Sequence, residues 1–169
     1  AHRLSMWPPP DSQEVLRQTN GCGRRHIMTW QCTAAPGGEI SHGKRHLPYL
    51  FWDAWHTPKV AGALQLSDEA GQLRSCKCVA GSQACEWLDE ALEMQGLNSR
   101  ERADFITFWQ PSLEANPYNL IRFLSAEEIN EDSSLEVSPM PDVVLRVFMV
   151  FQACPDLVET EPQTFVAPH

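Results

Sequence analysis

The sequence predicts an α+β protein, with a mostly antiparallel sheet, two consecutive helices packed on it, and extended proline-rich arms at both termini. Residues 83–95 and 99–110 predict the two helices, because their apolar residues recur at helical spacing. Residues 118–124 and 143–153 predict strands, because they are short runs rich in aromatic and β-branched residues. The 143–153 run is apolar on both faces, so we expect it in the middle of the sheet.

A chain of 169 residues is long enough for one domain with a substantial core. We predict a single domain at 21–154, preceded by an N-terminal arm and short helix at 1–20 and followed by a C-terminal extended arm at 155–169. Three successive prolines in the N-terminal arm favour extended backbone. Both arms carry large apolar residues, including Trp7 and Phe165, so we expect them to dock either on the domain itself or on another protein.

The first third of the chain predicts one short helix and two strands. Residues 11–19 begin with residues that cap helices, which favours a helix. Residues 24–32 alternate like a strand, and the aromatic-rich stretch 49–55 predicts a second strand. The weak alternation and two glycines of residues 59–78 indicate a loop or a loose hairpin.

The two consecutive helices have recognisable ends. Gly96 follows the first helix at the position where glycine commonly closes a helix. Asn98 and Glu101 resemble a capping box for the second helix. The apolar stripe of the second helix is broad, so we expect the hydrophobic core to surround this helix almost completely. Pro111 should end or kink it, because proline lacks an N–H group, with room for one more turn before Pro117.

Short elements are predicted after the second helix. Ser125 and Glu128 form the pattern of a capping box, which predicts a short helix after the 118–124 strand. The stretch 135–138 predicts a brief strand. The acidic run 127–136 offers oxygen ligands at alternate positions but lacks the glycine and glutamate that an EF-hand loop needs at its sixth and twelfth places. We interpret this run as a solvated loop.

The charge distribution limits the classes of partner. The net charge is −9, with seven Lys/Arg and four Asp/Glu in residues 1–60 but six and eighteen in residues 61–169. The electrostatic field of a protein with this negative charge repels phosphate backbones, so we expect no nucleic-acid partner. A basic face of another protein, or a cation, is the partner we favour. The chain has no apolar run near the roughly 20 residues that span a bilayer, so we expect no membrane span.

An even number of cysteines favours disulfides in a compartment outside the cytosol, secreted or in an organelle lumen. Free thiols are one alternative. A zinc site of three cysteines and a histidine is another, although its C-x-C spacing differs from that of ordinary zinc motifs. The disulfide candidates are Cys22, Cys32, Cys76, Cys78, Cys85 and Cys154.

The motifs of common catalytic sites do not occur in the sequence. The G-x-S-x-G, H-E-x-x-H, P-loop and G-x-G-x-x-G patterns are missing, and no spacing selects a cysteine–histidine pair. We therefore predict no catalytic residue, no cofactor and no metal ligand.

Two arginines lie inside apolar runs, where a charge needs a partner or a path to water. Asp53, Glu114 and Asp142 are candidate partners by residue type. Carboxylates that met an arginine in a tryptophan-lined cleft would indicate sugar binding or cleavage, whereas a buried ion pair or an arginine stem on an edge strand would be structural. Candidate partner or ligand contacts are Trp7, Phe165, Arg122, Arg146, Asp53 and Asp142.

Three segments resemble one protein family: "PYLFWD", "GLNSRERADFITFWQPSLEANPYNLIRF" and "LEVSPMPDVVLRVFMVF". The family consists of uncharacterised bacterial proteins, often secreted or lipid-anchored, with relatives in fungi, and the resemblance covers residues 47–152. It implies a common α+β scaffold and no activity. Residues that match its pattern are Trp52, Trp109, Pro111, Asn116, Tyr118, Asn119, Pro141, Asp142 and Arg146, whereas Asp53, Phe108 and Gln110 depart from it.

These expectations favour a non-catalytic structural or accessory binding protein outside the cytosol. We expect a peripheral subunit on the lumenal or extracellular side of a membrane complex, docked on a larger protein assembly through its arms and acidic face. The alternative is a carbohydrate-binding or carbohydrate-cleaving domain, indicated by six tryptophans and by the carboxylates and arginines named above.

Overall fold

The structure, a computed structural model, divides into two compact units, Ala1–Thr57 and Pro58–His169. It describes residues 6–8, 10–17, 24–52, 66–67, 70–133, 135–138 and 140–165. The predicted α+β class is confirmed, with antiparallel sheets and helices. The predicted domain boundaries after residues 20 and 154 stay predictions.

The described part of the first unit consists of antiparallel strands: β1 (Met6–Trp7), β2 (Ser12–Arg17), β3 (Arg24–Thr29), β4 (Thr33–Ala34), β5 (Ile40–His42), β6 (Arg45–Leu47) and β7 (Phe51–Trp52). β1 pairs with β7, β2 with β3, and β4, β5 and β6 form a meander. The predicted strand 24–32 is confirmed for β3. Of the predicted strand 49–55, residues 51 and 52 form strand β7. Residues 53–55, which include Asp53, lie outside the described residues.

The predicted short helix at 11–19 is wrong, because Ser12–Arg17 forms strand β2. Asp11, expected to cap a helix, instead accepts a hydrogen bond from the Gln31 N–H at 2.6 Å and contacts His42 Nε2 at 2.9 Å. The Gln31 N–H and the nearby His42 hold the pKa of the Asp11 carboxyl below its ordinary value, despite an opposing effect of desolvation. Cross-strand pairing with β3 prevails here over local helix preference, which is a weak determinant.

The second unit contains one three-stranded sheet and three helices in its described part. In chain order these are β8 (Lys77–Ala80), α1 (Ala84–Met94), α2 (Ser99–Glu114), β9 (Tyr118–Phe123), α3 (Ala126–Asp132) and β10 (Met149–Cys154), with a 3-10 turn before α1. The antiparallel sheet has the order β10-β9-β8. Strand β8 begins at Lys77, so the prediction of a loop or loose hairpin at 59–78 is wrong for its last two residues.

The ends of α1 and α2 follow the sequence signals. Gly96, after α1, has a φ of 94°, which only glycine adopts without strain. The Asn98 side chain accepts from the Arg100 and Glu101 N–H groups, and Glu101 accepts from Asn98, which completes the predicted capping box. Pro111 lies inside α2, and the helix continues one turn to Glu114, so the predicted end at residue 110 is wrong.

Helix α2 is more exposed than predicted. Leu113 is the one α2 residue that is fully buried, and Phe108 is 50% exposed. The expectation of core on nearly all sides is therefore wrong. The core lies between one face of the two helices and the sheet, where Leu88, Leu92 and Ile121 are completely buried.

Strand β9, and not the 143–153 run, is the central strand. β10 begins only at Met149 and lies at an edge of the sheet. Residues 142–148 and the predicted strand 135–138 have no regular structure. The predicted strand 135–138 is wrong, and none of the described strands pairs with it. The prediction for 143–148 is wrong because β9 is six residues long and offers β10 six pairing positions, which Met149 to Cys154 occupy. The preceding apolar residues therefore extend past the end of the sheet.

Candidate functional site

A cleft of about 950 Å³ lies where the end of β9, the start of α3 and the segments 135–137, 140–145 and 163–165 meet. Its lining is mainly apolar and includes Phe123, Leu135, Val144 and Phe165, whereas Arg122 contributes a buried charge. A cleft of this size that combines apolar walls with a few polar groups has the general character of a binding site.

Arg122 lies at the end of β9 and is only 7% exposed. Its Nη2 donates to Glu128 Oε1, in the first turn of α3, where the Ser125 capping box fixes the Glu128 carboxylate. Arg74 approaches the same oxygen, with its Nη1 3.6 Å away. Two guanidinium groups therefore share one carboxylate, which leaves the cluster with excess positive charge.

Two N–H groups of this cluster have no acceptor. Arg122 Nη1 and Arg74 Nε are buried, and neither donates a hydrogen bond to any described group. A buried donor without an acceptor costs about 1–3 kcal/mol, so native proteins rarely retain one without a reason.

The electrostatics of Glu128 follow from this arrangement. Burial raises the pKa of its carboxyl, but hydrogen bonds from the Ser125 backbone and from Arg122 outweigh burial and hold the pKa below its ordinary value of 4.5. Glu128 is therefore ionised at neutral pH.

Among the described residues, neither arginine pairs with Glu114 or Asp142, and Asp53, the third predicted partner, lies outside the described part of the chain. Arg122 pairs with Glu128, and Arg146 donates to Asn130 Oδ1 at 2.9 Å and to the Ser133 carbonyl at 2.8 Å. Glu114 instead accepts from Gln110 Nε2 at 2.8 Å, at the end of α2. The sequence did contain a signal for Glu128, because the capping box places its carboxylate at the start of α3.

Residues 135–138 and 140–145, here together called the apolar segment, carry large hydrophobic side chains into solvent. Its Met140 is 89% exposed and its Val143 67% exposed. Asp142, a predicted contact residue, is exposed in the same segment. Six of the eleven exposed large hydrophobic residues in the described chain belong to it: Leu135, Val137, Met140, Val143, Val144 and Leu145.

The apolar candidates in the predicted arms have contacts within the chain. The Phe165 ring lies 5.7 Å from the Phe123 ring, in an edge-to-face arrangement against the core. The backbone of Trp7 pairs with Phe51 in β1 and β7, while its side chain lies outside the described part. The segment up to residue 165 thus docks on its own unit.

The described cysteines are free, so the predicted disulfides are not supported. The sulfurs of Cys78 and Cys154 are 3.9 Å apart, about twice the length of a disulfide bond. Burial raises the pKa of the Cys76, Cys85 and Cys154 thiols, and neighbouring thiols or Glu114 raise it further. Thiols of this kind are protonated and unreactive at neutral pH. Cys22 lies outside the described residues.

The described residues hold no group of three or more His, Cys, Asp or Glu side chains arranged to bind a metal ion. Among these residues, no helix is both long enough and apolar enough to cross a membrane.

The fold and the cleft define an α+β protein with an apolar cleft and an arginine at its floor. Comparison of the chain with protein-family models, curated proteins and solved structures gave no match. The resemblance carried by the three sequence segments stays a prediction.

Proposed function

We propose that the protein is a non-catalytic accessory binding protein outside the cytosol, a peripheral subunit that docks on a larger protein assembly. The observation that carries this proposal is the apolar segment, in which Met140 and Val143 are 89% and 67% exposed. Monomeric proteins scatter exposed hydrophobic residues singly, whereas a contiguous exposed patch is typical of an interaction surface.

The charges around the apolar segment indicate the chemistry of the partner. Glu136 and Asp142 are exposed within it, and Glu127 and Glu131 are exposed in α3, the helix that precedes it in the chain. An apolar strip with acidic neighbours fits a partner whose apolar patch has a basic rim, because complementary charges steer association and select among partners.

The chemistry of the candidate nucleophiles supports binding over catalysis. Burial raises the pKa of the Cys76 and Cys154 thiols, and the depressed pKa of Glu128 makes it a poor general base at neutral pH. The location outside the cytosol rests on the resemblance to secreted and lipid-anchored proteins.

A native pull-down tests the docking function. The tagged protein should retain a stoichiometric complex, and Met140→Glu with Val143→Glu should weaken it at least tenfold, because both changes place charges in the apolar contact. Leu157→Glu is the matched control, since Leu157 is 69% exposed but lies outside the apolar segment.

The complex should be rebuilt from the purified partner, and its affinity measured for each variant. A monodisperse protein that forms no stable complex would contradict the proposal. So would equal weakening by Leu157→Glu and by the double variant.

A further inference from the structure

We propose that the floor of the cleft binds the carboxylate of a small aliphatic acid, with the hydrocarbon chain along the apolar walls. This inference rests on the arginine cluster and the cleft and needs no protein partner, although the cleft shares Leu135, Val144 and Leu145 with the apolar segment.

The charge balance at the floor favours an anion. Arg122 and Arg74 both approach Glu128 Oε1, although Arg74 does not itself line the cleft. Arg146 and Glu136 also line it, so three guanidinium groups face two carboxylates. One further carboxylate would balance the cluster. A phosphate dianion would bring excess negative charge beside Glu128 and Glu136, both of which line the cleft.

The hydrogen-bond geometry favours a carboxylate. Arg122 is 93% buried, since its relative exposure is 7%, and its Nη2 is occupied by Glu128 while its Nη1 has no acceptor in the described chain. Guanidinium groups present a planar fork of N–H donors that matches the oxygens of a carboxylate. Burial strengthens such a contact, because water competes less for the donor.

The walls select the rest of the ligand. Phe123 and Phe165 lie near the floor, where their rings contact each other, and Leu135, Val144 and Leu145 line the cleft farther along. A volume of about 950 Å³ accommodates an acid with a ten-carbon chain. The apolar walls disfavour a short polar acid, which would leave them hydrated.

Calorimetric titration of the purified protein with three ten-carbon probes tests this site. Decanoate should bind at least tenfold more tightly than 1-decanol, and decylamine should bind more weakly than 1-decanol because its charge repels Arg122. The proposal is overturned if decanoate does not bind or if 1-decanol binds equally well. This comparison uses the unaltered chain, so it does not depend on the folding of any variant.

Arg122→Lys tests the residue assignment. Lysine keeps the charge beside Glu128 but lacks the guanidinium fork, so we expect at least a tenfold loss of decanoate affinity. Arg100→Lys is the control, since Arg100 is exposed in the first turn of α2. The affinity of this variant for decanoate should equal that of the unaltered protein. Decanoate should also shift the ¹⁵N resonances of the Arg122 guanidinium in the unaltered protein.

Unchanged affinity in a folded Arg122→Lys variant, or unshifted Arg122 resonances, would overturn the site. These results are distinguishable from failure of the docking function. If the protein binds decanoate but forms no complex, the carboxylate site stands and the docking proposal is contradicted. If it forms a complex but does not bind decanoate, the docking proposal stands and the carboxylate site is contradicted.

Discussion

Asn119 shows how a buried polar residue can hold a corner together. It is completely buried, its Nδ2 donates to the Leu113 carbonyl at 2.9 Å, and its Oδ1 accepts from Asn116 Nδ2 at 2.8 Å. Asn116 also donates to the Ser112 carbonyl at 2.9 Å. These amides donate to carbonyl groups in the last turn of α2, where the regular i→i+4 pattern of the helix ends. Asn116 and Asn119 therefore serve the corner between α2 and β9.

Arg122, three residues further on, is different because its guanidinium is only partly satisfied. The Asn119 amide has partners on both its atoms, whereas Arg122 Nη1 has no acceptor in the described chain. Asn119 and Arg122 are both buried in β9, but they differ in their hydrogen bonding: Asn119 has partners on both amide atoms, and Arg122 does not.

The ion pair at the cleft floor makes stability depend on pH. Glu128→Gln should lower the free energy of unfolding by about 2 kcal/mol at pH 7, because Arg122 loses its charged partner while glutamine can still complete the capping box. The pKa of Glu128 is lowered in the folded protein. Its stabilising contribution is therefore complete above pH 4.5 and is lost as the pH falls through the lowered pKa.

Urea unfolding, followed by tryptophan fluorescence at pH 7 and pH 3, measures this difference. The gap between the unaltered protein and Glu128→Gln should shrink at pH 3. Glu127→Gln, at the exposed neighbouring position, should change stability by less than about 0.5 kcal/mol. If the difference in free energy of unfolding between the two proteins were the same at pH 7 and pH 3, the ionised Glu128 carboxylate would not be the stabilising group.

At the scale of elements, the junction between β8 and α1 depends on close backbone approach. Gly81 donates its N–H to the Pro117 carbonyl at 3.0 Å. A Cβ at this position would lie 2.9 Å from the Leu113 carbonyl oxygen and closer still to that of Asn116, which is nearer than real Cβ contacts allow. The turn before α1 and the corner after α2 therefore fit together only through glycine.

Gly81→Ala should lower the free energy of unfolding by about 1–3 kcal/mol, because backbone atoms, unlike a flexible side chain, cannot easily move aside. Chemical denaturation measures this loss. Gly37→Ala is the matched control, since nothing lies within 4 Å of a Cβ built there. Equal stability of the two variants would show that the corner has room for a side chain.

At the scale of the whole molecule, the segment 158–165 connects distant parts of the second unit. The Cys76 N–H donates to the Glu161 carbonyl at 2.9 Å, next to β8. Gln163 accepts from the Phe123 N–H at 2.7 Å and donates to the Phe123 carbonyl at 2.8 Å. Contacts that join residues forty positions apart in sequence fix this segment over the sheet and form one side of the cleft.

Gln163→Ala should lower the free energy of unfolding by about 2 kcal/mol, because it removes both partners of the Phe123 backbone, and Phe123 is only 3% exposed. Gln152→Ala, an exposed glutamine of β10, should have little effect. Thermal unfolding of both variants gives the comparison. Equal stability would mean that the segment contributes nothing to the unit.

The sequence alone determined the elements whose signals are local. Helix α1 with Gly96, the capping boxes at Asn98 and Ser125, and the strand after Pro117 follow from spacing and from residues within one or two turns. Such signals need no knowledge of distant residues, so they can be recognised in the chain itself.

Tertiary structure alone decided which strand is central and what each buried charge contacts. The run 143–153 is more apolar than β9, yet the six pairing positions of β9 exclude its first part from the sheet. That exclusion leaves Val143, Val144 and Leu145 in the apolar segment, where Val144 and Leu145 line the cleft together with Gln163 and Phe165. The physical reason is that strand pairing and charge satisfaction depend on residues far apart in sequence, whereas helical periodicity and capping are local.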